Sequence, residues 1–202
     1  MLMRTNVSAI ARLQQLPAVF RGADLTIRFG WASKTASHYL YLWKKRGLVA
    51  PLGGHSDVFA NLLTSEHADW EAALLLAHPS ALVVGLEALR RSGWITQIPA
   101  LPTVAVDEGE SSFTVDHFDI QRQPEAWMRA VRAGINSPAS GTLPSLRPAW
   151  ALLDLVASQG WGLCGLQPDD VDWGSLNAQD EADWAAAARA WRLPPMPFRP
   201  DS

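Results

Sequence analysis

The sequence has a single cysteine, Cys164, so no disulfide can form within the chain. A free cysteine usually behaves as a small buried hydrophobe, and we predict that Cys164 lies in the core. No segment reaches the roughly 18 consecutive apolar residues of a membrane span. Residues 1–12 also lack the apolar centre of a signal peptide. We therefore expect a soluble, cytoplasmic protein without a membrane partner.

The common motifs of catalysis and cofactor binding are also missing. The sequence contains no HExxH, no GxSxG, no Walker loop and no GxGxxG. If residues 116–119 form a strand, His117 and Asp119 face the same way, but no nucleophile is marked beside them. The acidic run 169–172 is better interpreted as helix capping than as a metal site. We expect no enzymatic activity, no metal and no cofactor.

Lysine is scarce, and all three lysines lie between positions 34 and 45. Residues 1–60 carry eight basic and two acidic side chains, a net charge of +6. The remaining 142 residues carry nine arginines and eighteen acidic side chains, a net charge of −9. This division indicates an N-terminal part that faces DNA and a body that does not.

Hydrophobic periodicity in the first sixty residues predicts a series of helices followed by a hairpin. Helices are predicted over residues 5–16, 21–29 and 33–46. Ser33 is the expected N-cap of the third helix. Apolar runs at residues 48–52 and 57–60 flank a Gly-rich turn, which is typical of a β-hairpin. This order is that of a winged helix-turn-helix, which we assign to residues 1–62.

The third predicted helix has the layout of a recognition helix. Ala36, Leu40 and Trp43 share an apolar face that would pack on the domain. The first turns and the opposite side are polar and basic, as contacts with base edges and phosphates require. The candidate DNA-binding residues on this helix are Ser33, Lys34, Thr35, Ser37, His38, Tyr41, Lys44 and Lys45.

The roles of these side chains follow from their chemistry. Lys34 could bind guanine or a phosphate, and Ser37 and His38 could hydrogen-bond to base edges. His55, at the tip of the predicted wing, could meet the DNA backbone or the minor groove. Phosphate contacts are assigned to Tyr41, Lys44 and Lys45. The alternative interpretation of the helix is an ordinary solvated face.

Residues 63–202 are predicted to form a larger, mixed α+β domain, so the fold class is α+β with an N-terminal winged helix-turn-helix. Helices are predicted over residues 68–77, 81–91, 125–132, 147–158 and 179–191. Two strands, 101–107 and 113–120, surround the turn at 108–110. Residues 135–144 are expected to be a loop and residues 194–202 a loose tail. This part is rich in tryptophan, which would serve as core or as a protein-binding surface: Trp127, Trp150, Trp161, Trp173, Trp184 and Trp191.

A family resemblance is carried by short patches between residues 16 and about 190. The patches are residues 16–20, 24–25, 36–40, 46–49, 85–94 and 147–154. In this order they resemble the AbiEi-type antitoxins of bacterial type IV toxin–antitoxin (abortive infection) systems. The sequence departs from the family where the wing ends in Asp57-Val58-Phe59 rather than Gly-x-Tyr. The resemblance implies a winged-helix head that represses its own operon and a C-terminal domain that opposes a nucleotidyltransferase-like toxin.

The leading hypothesis is therefore a transcriptional repressor that binds double-stranded operator DNA and acts as an antitoxin. Its functional partner would be a nucleotidyltransferase-like toxin encoded next to it. The alternative is a stand-alone winged-helix regulator whose C-terminal domain senses a ligand or forms a dimer. An enzyme with an appended DNA-binding head has little support. The sequence leaves open the operator, the oligomeric state on DNA and whether the toxin is bound directly.

Overall fold

The structure is a computed structural model that describes residues 8–65, 67–110, 114–136, 142–194 and 196–199. It is mixed α+β, as predicted. By its internal contacts the chain divides into two compact units, residues 1–79 with 112–116 and residues 80–111 with 117–202. The first unit thus continues past the boundary expected after residue 62 and takes in a second, separate segment. None of the helices in the described part of the chain is both long and apolar enough to cross a bilayer.

The first unit begins with short helices and a small sheet. In chain order its elements before residue 79 are α1 (Ala9–Leu13), β1 (Val19–Arg21), α2 (Gly22–Phe29), α3 (Ser33–Lys45), β2 (Val49–Pro51), β3 (Gly53–Gly54), β4 (Val58–Asn61) and α4 (Trp70–Ala77). Helix α1 starts where the Ser8 hydroxyl accepts a hydrogen bond from the Ala11 N–H at 3.2 Å. It is therefore shorter than the helix predicted over residues 5–16, of which residues 5–7 lie outside the described residues.

Among the described residues of this unit, β1, β4 and β2 form a three-stranded antiparallel sheet with β4 in the centre. The predicted hairpin is confirmed, because Ala50 of β2 lies opposite Ala60 of β4. Pro51 lies on β2, which is an edge strand of the sheet. Proline is tolerated there, although it has no N–H to donate, because an edge strand has a neighbour on one side only. The sheet places the turn at residues 55–57 at one end of the β2–β4 pair.

Strand β3 pairs with a segment that is distant in sequence, β7 (Thr114–Val115). Gly53 lies opposite Val115, and Gly54 lies opposite Thr114. A Cβ atom added at Gly53 would lie 1.8 Å from the carbonyl oxygen of Thr114. This close approach requires glycine at position 53.

The core of the first unit is held together by a buried asparagine as well as by apolar side chains. Asn61 is 1% exposed, and its Nδ2 donates to the carbonyl oxygens of Leu13 at 2.8 Å and Leu16 at 3.2 Å. Its Oδ1 accepts from the N–H of Leu63 at 3.2 Å. These bonds attach the end of α1 to β4. The fully buried apolar side chains around them include Leu13, Phe20, Leu25 and Trp43.

The second unit contains most of the remaining elements. They are β5 (Leu82–Val83), α5 (Gly85–Arg91), β6 (Thr103–Asp107), β8 (Asp119–Gln123), α6 (Glu125–Val131), β9 (Ile135–Asn136), β10 (Ser145–Leu146), α7 (Pro148–Gln159) and α8 (Ala178–Ala190). Single 3-10 turns occur at Arg132–Gly134, Pro168–Asp170 and Trp173–Ser175. Within the described ranges these strands form a five-stranded sheet in the order β8-β6-β5-β10-β9. Helix α5 contacts β6 and α7, and α8 contacts both α7 and α6.

The helix predicted over residues 81–91 is wrong in its first third. Leu82 and Val83 form strand β5, which pairs with β6 on one side and β10 on the other. The run 81–84 is almost fully buried and ends in two valines, which suits a central strand better than the start of a helix. Gly85 has a φ of +61° and turns the chain into α5.

The strands predicted around residues 108–110 do not form a hairpin. Strand β8 runs parallel to β6, with Ala105 opposite Gln121. Between them the chain forms β7 in the first unit before it returns, and residues 111–113 lie outside the described residues. The Asp107 side chain accepts from the N–H of Gly109 at 2.7 Å, which makes a local turn rather than a strand connection.

The C-terminal segment is not a loose tail over residues 196–199. The Phe198 ring lies 5.3 Å from the Trp184 ring and 6.1 Å from the Trp94 ring, between centroids. The Trp184 Nε1 also donates to the carbonyl oxygen of Met196 at 3.1 Å. Aromatic contacts thus fix part of a segment whose proline content predicted a loose tail. Cys164 is buried as predicted, and the expected loop at 135–144 begins with strand β9, whereas residues 137–141 lie outside the described residues.

Helix α5 carries a buried carboxylate that is paired within the helix. Glu87 is 3% exposed and accepts hydrogen bonds from Arg90 at 2.7 and 2.8 Å and from Arg91 at 2.7 Å. The hydrogen bonds from Arg90 lower the pKa of Glu87 below its ordinary 4.5, with Arg91 assisting and burial opposing. The pairs therefore favour the charged carboxylate inside the second unit.

We predict that Asn61→Ala lowers the free energy of unfolding by about 2–3 kcal/mol, because the Leu16 carbonyl oxygen and the Leu63 N–H lose their partner and the Leu13 carbonyl oxygen loses one of its two donors. The measurement is urea denaturation of the full chain, followed by circular dichroism. Asn136→Ala, at an exposed position of β9, is the matched control and should change stability by less than about 0.5 kcal/mol. Equal effects of the two substitutions would contradict the structural role of Asn61.

We predict that Glu87 makes stability depend on pH in the acid range. Because its folded-state pKa is lowered, its contribution is fully present above its ordinary value of 4.5 and is lost as the pH falls below that value. Stability should therefore fall less steeply below pH 4.5 in Glu87→Gln than in the wild type, although the variant is less stable at neutral pH. Denaturation midpoints at several pH values measure this, and parallel pH profiles of the two proteins would argue against it.

Candidate nucleic-acid interface

Helices α2 and α3 are joined by a three-residue turn, Gly30-Trp31-Ala32. Gly30 has a φ of +65°, and its N–H donates to the carbonyl oxygen of Thr26 at 3.0 Å. A left-handed glycine that ends one helix just before the next is typical of a helix-turn-helix unit. At the start of α2, a Cβ at Gly22 would lie 3.3 Å from Leu40 Cδ1, so glycine lets α2 pack closely on α3.

An aromatic cluster holds this turn in place. The Trp31 ring stacks on Tyr39 at 4.7 Å and lies 5.9 Å from Trp43, both on α3. Phe29, the last residue of α2, lies 5.6 Å from the Trp31 ring. The Arg12 guanidinium lies 5.1 Å from the centre of the Trp31 ring, at a distance typical of a cation–π contact. The sequence predictions missed Trp31 and Tyr39, although the aromatic spacing of 31, 39 and 43 was visible.

The predicted N-cap of α3 is wrong by one residue. Ala32 occupies the cap position with extended backbone angles, and its carbonyl oxygen accepts from the Ala36 N–H at 3.0 Å. Ser33 is therefore the first helical residue, and it directly follows the turn that contains Trp31. The Ser33 hydroxyl is thus not used as a cap, and the side chain is exposed.

Helix α3 separates buried from exposed side chains sharply. Ala36 and Trp43 are 4% and 1% exposed, and Leu40 is partly buried. The period of 3.6 residues places a polar set on the opposite face. These residues, all exposed, are Lys34, His38, Tyr41 and Lys45. The predicted residues Ser33, Thr35, Ser37 and Lys44 are exposed on the flanks of that face.

The positive charge of this face has no acidic partner in the described part of the chain. The acidic side chains of the first sixty residues are Asp24 and Asp57. Asp24 accepts the Arg21 N–H at 2.8 Å, and Asp57 pairs with the Arg21 guanidinium at 2.9 Å. Lys34, Lys44 and Lys45 are exposed, and their charges are available to an anionic partner.

A shallow groove of about 560 Å³ adjoins the predicted face. Thr26 and Ile27 of α2 line it together with Ser33 and Ser37 of α3. Ile27 is 78% exposed, which is unusual for a large apolar side chain on a packed helix. The sequence predictions did not include α2 in the site. The signal was Ile27 itself, which lies outside the apolar spacing of that helix.

His55 lies on a separate element, the turn between β3 and β4. It is exposed and has a φ of +66°, an uncommon backbone conformation for a residue with a side chain. The N–H of Ser56 donates to the carbonyl oxygen of Gly53 at 3.3 Å, and the Ser56 hydroxyl accepts from the Val58 N–H at 3.1 Å. The turn is therefore built by local hydrogen bonds that point His55 outward.

The sequence contains two acidic clusters, residues 116–119 and 169–172, and the structure assigns neither of them to a catalytic or metal site. Residues 116–118 form a bend, so the strand alternation that would have paired His117 with Asp119 is absent there. In the run 169–172, Asp170 accepts the N–H of Gln167 at 2.6 Å, so the interpretation as capping is confirmed. No group of three metal-binding side chains occurs within the residues that the structure describes.

Two comparisons with known proteins gave no match. No protein-family model matches the sequence, and no curated protein matches it.

Proposed function

We propose that the first unit is a winged helix-turn-helix that binds double-stranded DNA through α3. The observation that carries this proposal is the division of α3 into a buried apolar face and an exposed face with uncompensated lysines. In helix-turn-helix proteins the second helix enters the major groove, and its N-terminal residues meet base edges. Lys34, Ser37 and His38 lie in that N-terminal part, whereas Lys44 and Lys45 lie at the other end, where phosphates are in reach.

The small sheet supports the same proposal. Strands β2 and β4 form a hairpin after α3, and β1 precedes α2, which is the element order of a winged helix. The turn that carries His55 corresponds to the wing. Wings commonly meet the backbone or the minor groove, and a histidine with outward orientation suits either surface.

We further propose that the protein is a repressor of its own operon and the antitoxin of a type IV pair. The support is the order of the patches that resemble AbiEi-type antitoxins, together with the acidic, Trp-rich second unit. Its functional partner is then a nucleotidyltransferase-like toxin encoded nearby. An adjacent reading frame of that kind would separate this proposal from a stand-alone regulator.

The two ends of α3 should have different effects on DNA binding. Replacing Lys34, Ser37 and His38 by Ala should reduce the preference for the upstream operator over a scrambled duplex by about tenfold or more, because base contacts are lost. Replacing Lys44 and Lys45 by Ala should weaken binding to both duplexes equally and reduce the slope of affinity against salt by about one per lysine. Fluorescence anisotropy with the full chain at several salt concentrations measures both quantities.

Arg189→Ala is the matched control, because it removes an exposed cation from α8 in the second unit. It should change neither affinity nor salt dependence. If the two sets of α3 variants lose affinity uniformly across sequences, the base-reading face is placed wrongly. If the wild-type chain binds duplex DNA without salt dependence or not at all, the proposed function fails.

Repression and antitoxin activity should be separable in the full chain. A variant with Lys34, Lys44 and Lys45 replaced by Glu should fold, since these side chains are exposed, but it should not repress a reporter under its own upstream region. Expressed from an unrelated promoter, it should still rescue growth of cells that express the neighbouring toxin. Arg189→Glu should keep both activities. Loss of rescue in a variant whose circular-dichroism melt is unchanged would contradict the proposed division of labour.

A further inference from the structure

A cleft of about 450 Å³ lies in the second unit beside Asp154. Its volume falls within the roughly 300–1,000 Å³ of small-molecule sites. Strands β6 and β8 supply Thr103, Gln121 and Gln123 on one side. Helices α6 and α7 supply Trp127 and Asp154 on the other. Most of the lining residues thus lie on helices and strands, which gives the polar groups among them fixed positions.

The Asp154 carboxylate is held in one orientation. Trp127 Nε1 donates to Asp154 Oδ1 at 3.0 Å. Asp154 Oδ2 accepts no hydrogen bond from any residue that the structure describes, and the side chain lines the cleft. Burial raises the pKa of Asp154, and the hydrogen bond from Trp127 opposes that change. One carboxylate oxygen is therefore positioned by the protein while the other remains for a ligand.

Asp154 is the one acidic or basic side chain among the described residues that line the cleft. Besides apolar groups the cleft offers the amides of Gln121, Gln123 and Gln159 and the hydroxyls of Thr103 and Ser158. No lysine or arginine lines the cleft in the described part of the chain. An anionic ligand would therefore meet an unpaired carboxylate without a compensating cation, whereas a cationic N–H group would complete a charge-assisted hydrogen bond.

A glycine at the start of α5 contributes to the wall of the cleft. Gly85 has a φ of +61° and lines the cleft at the start of α5. A Cβ at this position would lie 3.8 Å from Leu155 Cδ2 and 4.0 Å from Thr103 Cβ, so it would take space between these lining residues. Glycine thus permits both the turn and the open volume.

We propose that this cleft binds a small organic cation, an amine or amidine with a compact apolar body, whose N–H groups bond to Asp154. The glutamine amides and the hydroxyls bind its remaining polar atoms. This site goes beyond the proposed DNA binding and does not depend on it.

The test uses the full chain and three probes of nearly equal shape: benzamidine, benzamide and benzoate. In NMR titrations, benzamidine should shift the indole N–H resonance of Trp127, assigned by its loss in Trp127→Phe, in a saturable manner. Neutral benzamide should bind about tenfold more weakly or worse, and benzoate should not bind, because only the cation pairs with the carboxylate. Equal binding of benzamide and benzamidine, or binding of neither, would overturn the proposal.

The matched variants are Asp154→Asn and Asp169→Asn. Asp154→Asn keeps the oxygen that accepts from Trp127 but removes the charge, and it should weaken benzamidine binding about tenfold or more. Asp169→Asn neutralises an exposed acid elsewhere in the unit and should leave binding unchanged. If Asp154→Asn fails to fold, Gln121→Trp, at an exposed position on the edge strand β8, should obstruct the cleft and abolish the shift. Undiminished binding in the folded Asp154 or Gln121 variant would place the ligand elsewhere.

Discussion

The orientation of α3 depends on one side chain in the turn before it. Trp31 stacks on Tyr39 and lies against Trp43, and the Arg12 guanidinium covers its ring. These contacts bury one side of α3 and fix where the helix begins, so its other side must face solvent. Aromatic stacking of this kind contributes about 0.5–1.5 kcal/mol per pair beyond area burial. Because several pairs converge on Trp31, a turn of three residues is enough to set the exposed face of the whole helix.

The two acidic side chains of the first sixty residues both bond to Arg21. Arg21 is engaged three times: its N–H bonds to Asp24, and its guanidinium bonds to Asp57 and to the carbonyl oxygen of Leu76. These bonds use the acidic groups of the first sixty residues at the start of α2 and at the turn before β4. In the part of the chain that the structure describes, no ion pair joins an acidic side chain to the lysines of α3. Because Asp24 and Asp57 both bond to Arg21, neither of them pairs with a lysine of α3.

The sequence predicted what depends on local pattern and missed what depends on distant partners. The amphipathic helix around Ala36 and Trp43 and the hairpin after it follow from spacing of three to four residues and from a Gly-rich turn. The parallel pairing of β6 with β8 does not follow from local pattern, because between these two strands the chain forms β7 in the first unit. Nor could proline content reveal that Phe198 would pack on Trp184. For the candidate site, the polar face was predictable from periodicity, whereas Trp31, Thr26 and Ile27 depend on how α2 meets α3.

The pairing of β3 with β7 shows that the first unit is not a simple N-terminal head. Gly53 approaches the Thr114 carbonyl so closely that any side chain there would collide with it. A segment ending at residue 62 would lack this partner strand and would also lack α4, which packs on β1 and β4. The surface that we propose binds DNA is therefore specified by two separated stretches of sequence. Since β7 is continuous on both sides with residues of the second unit, no single cut in the chain separates the first unit from the second.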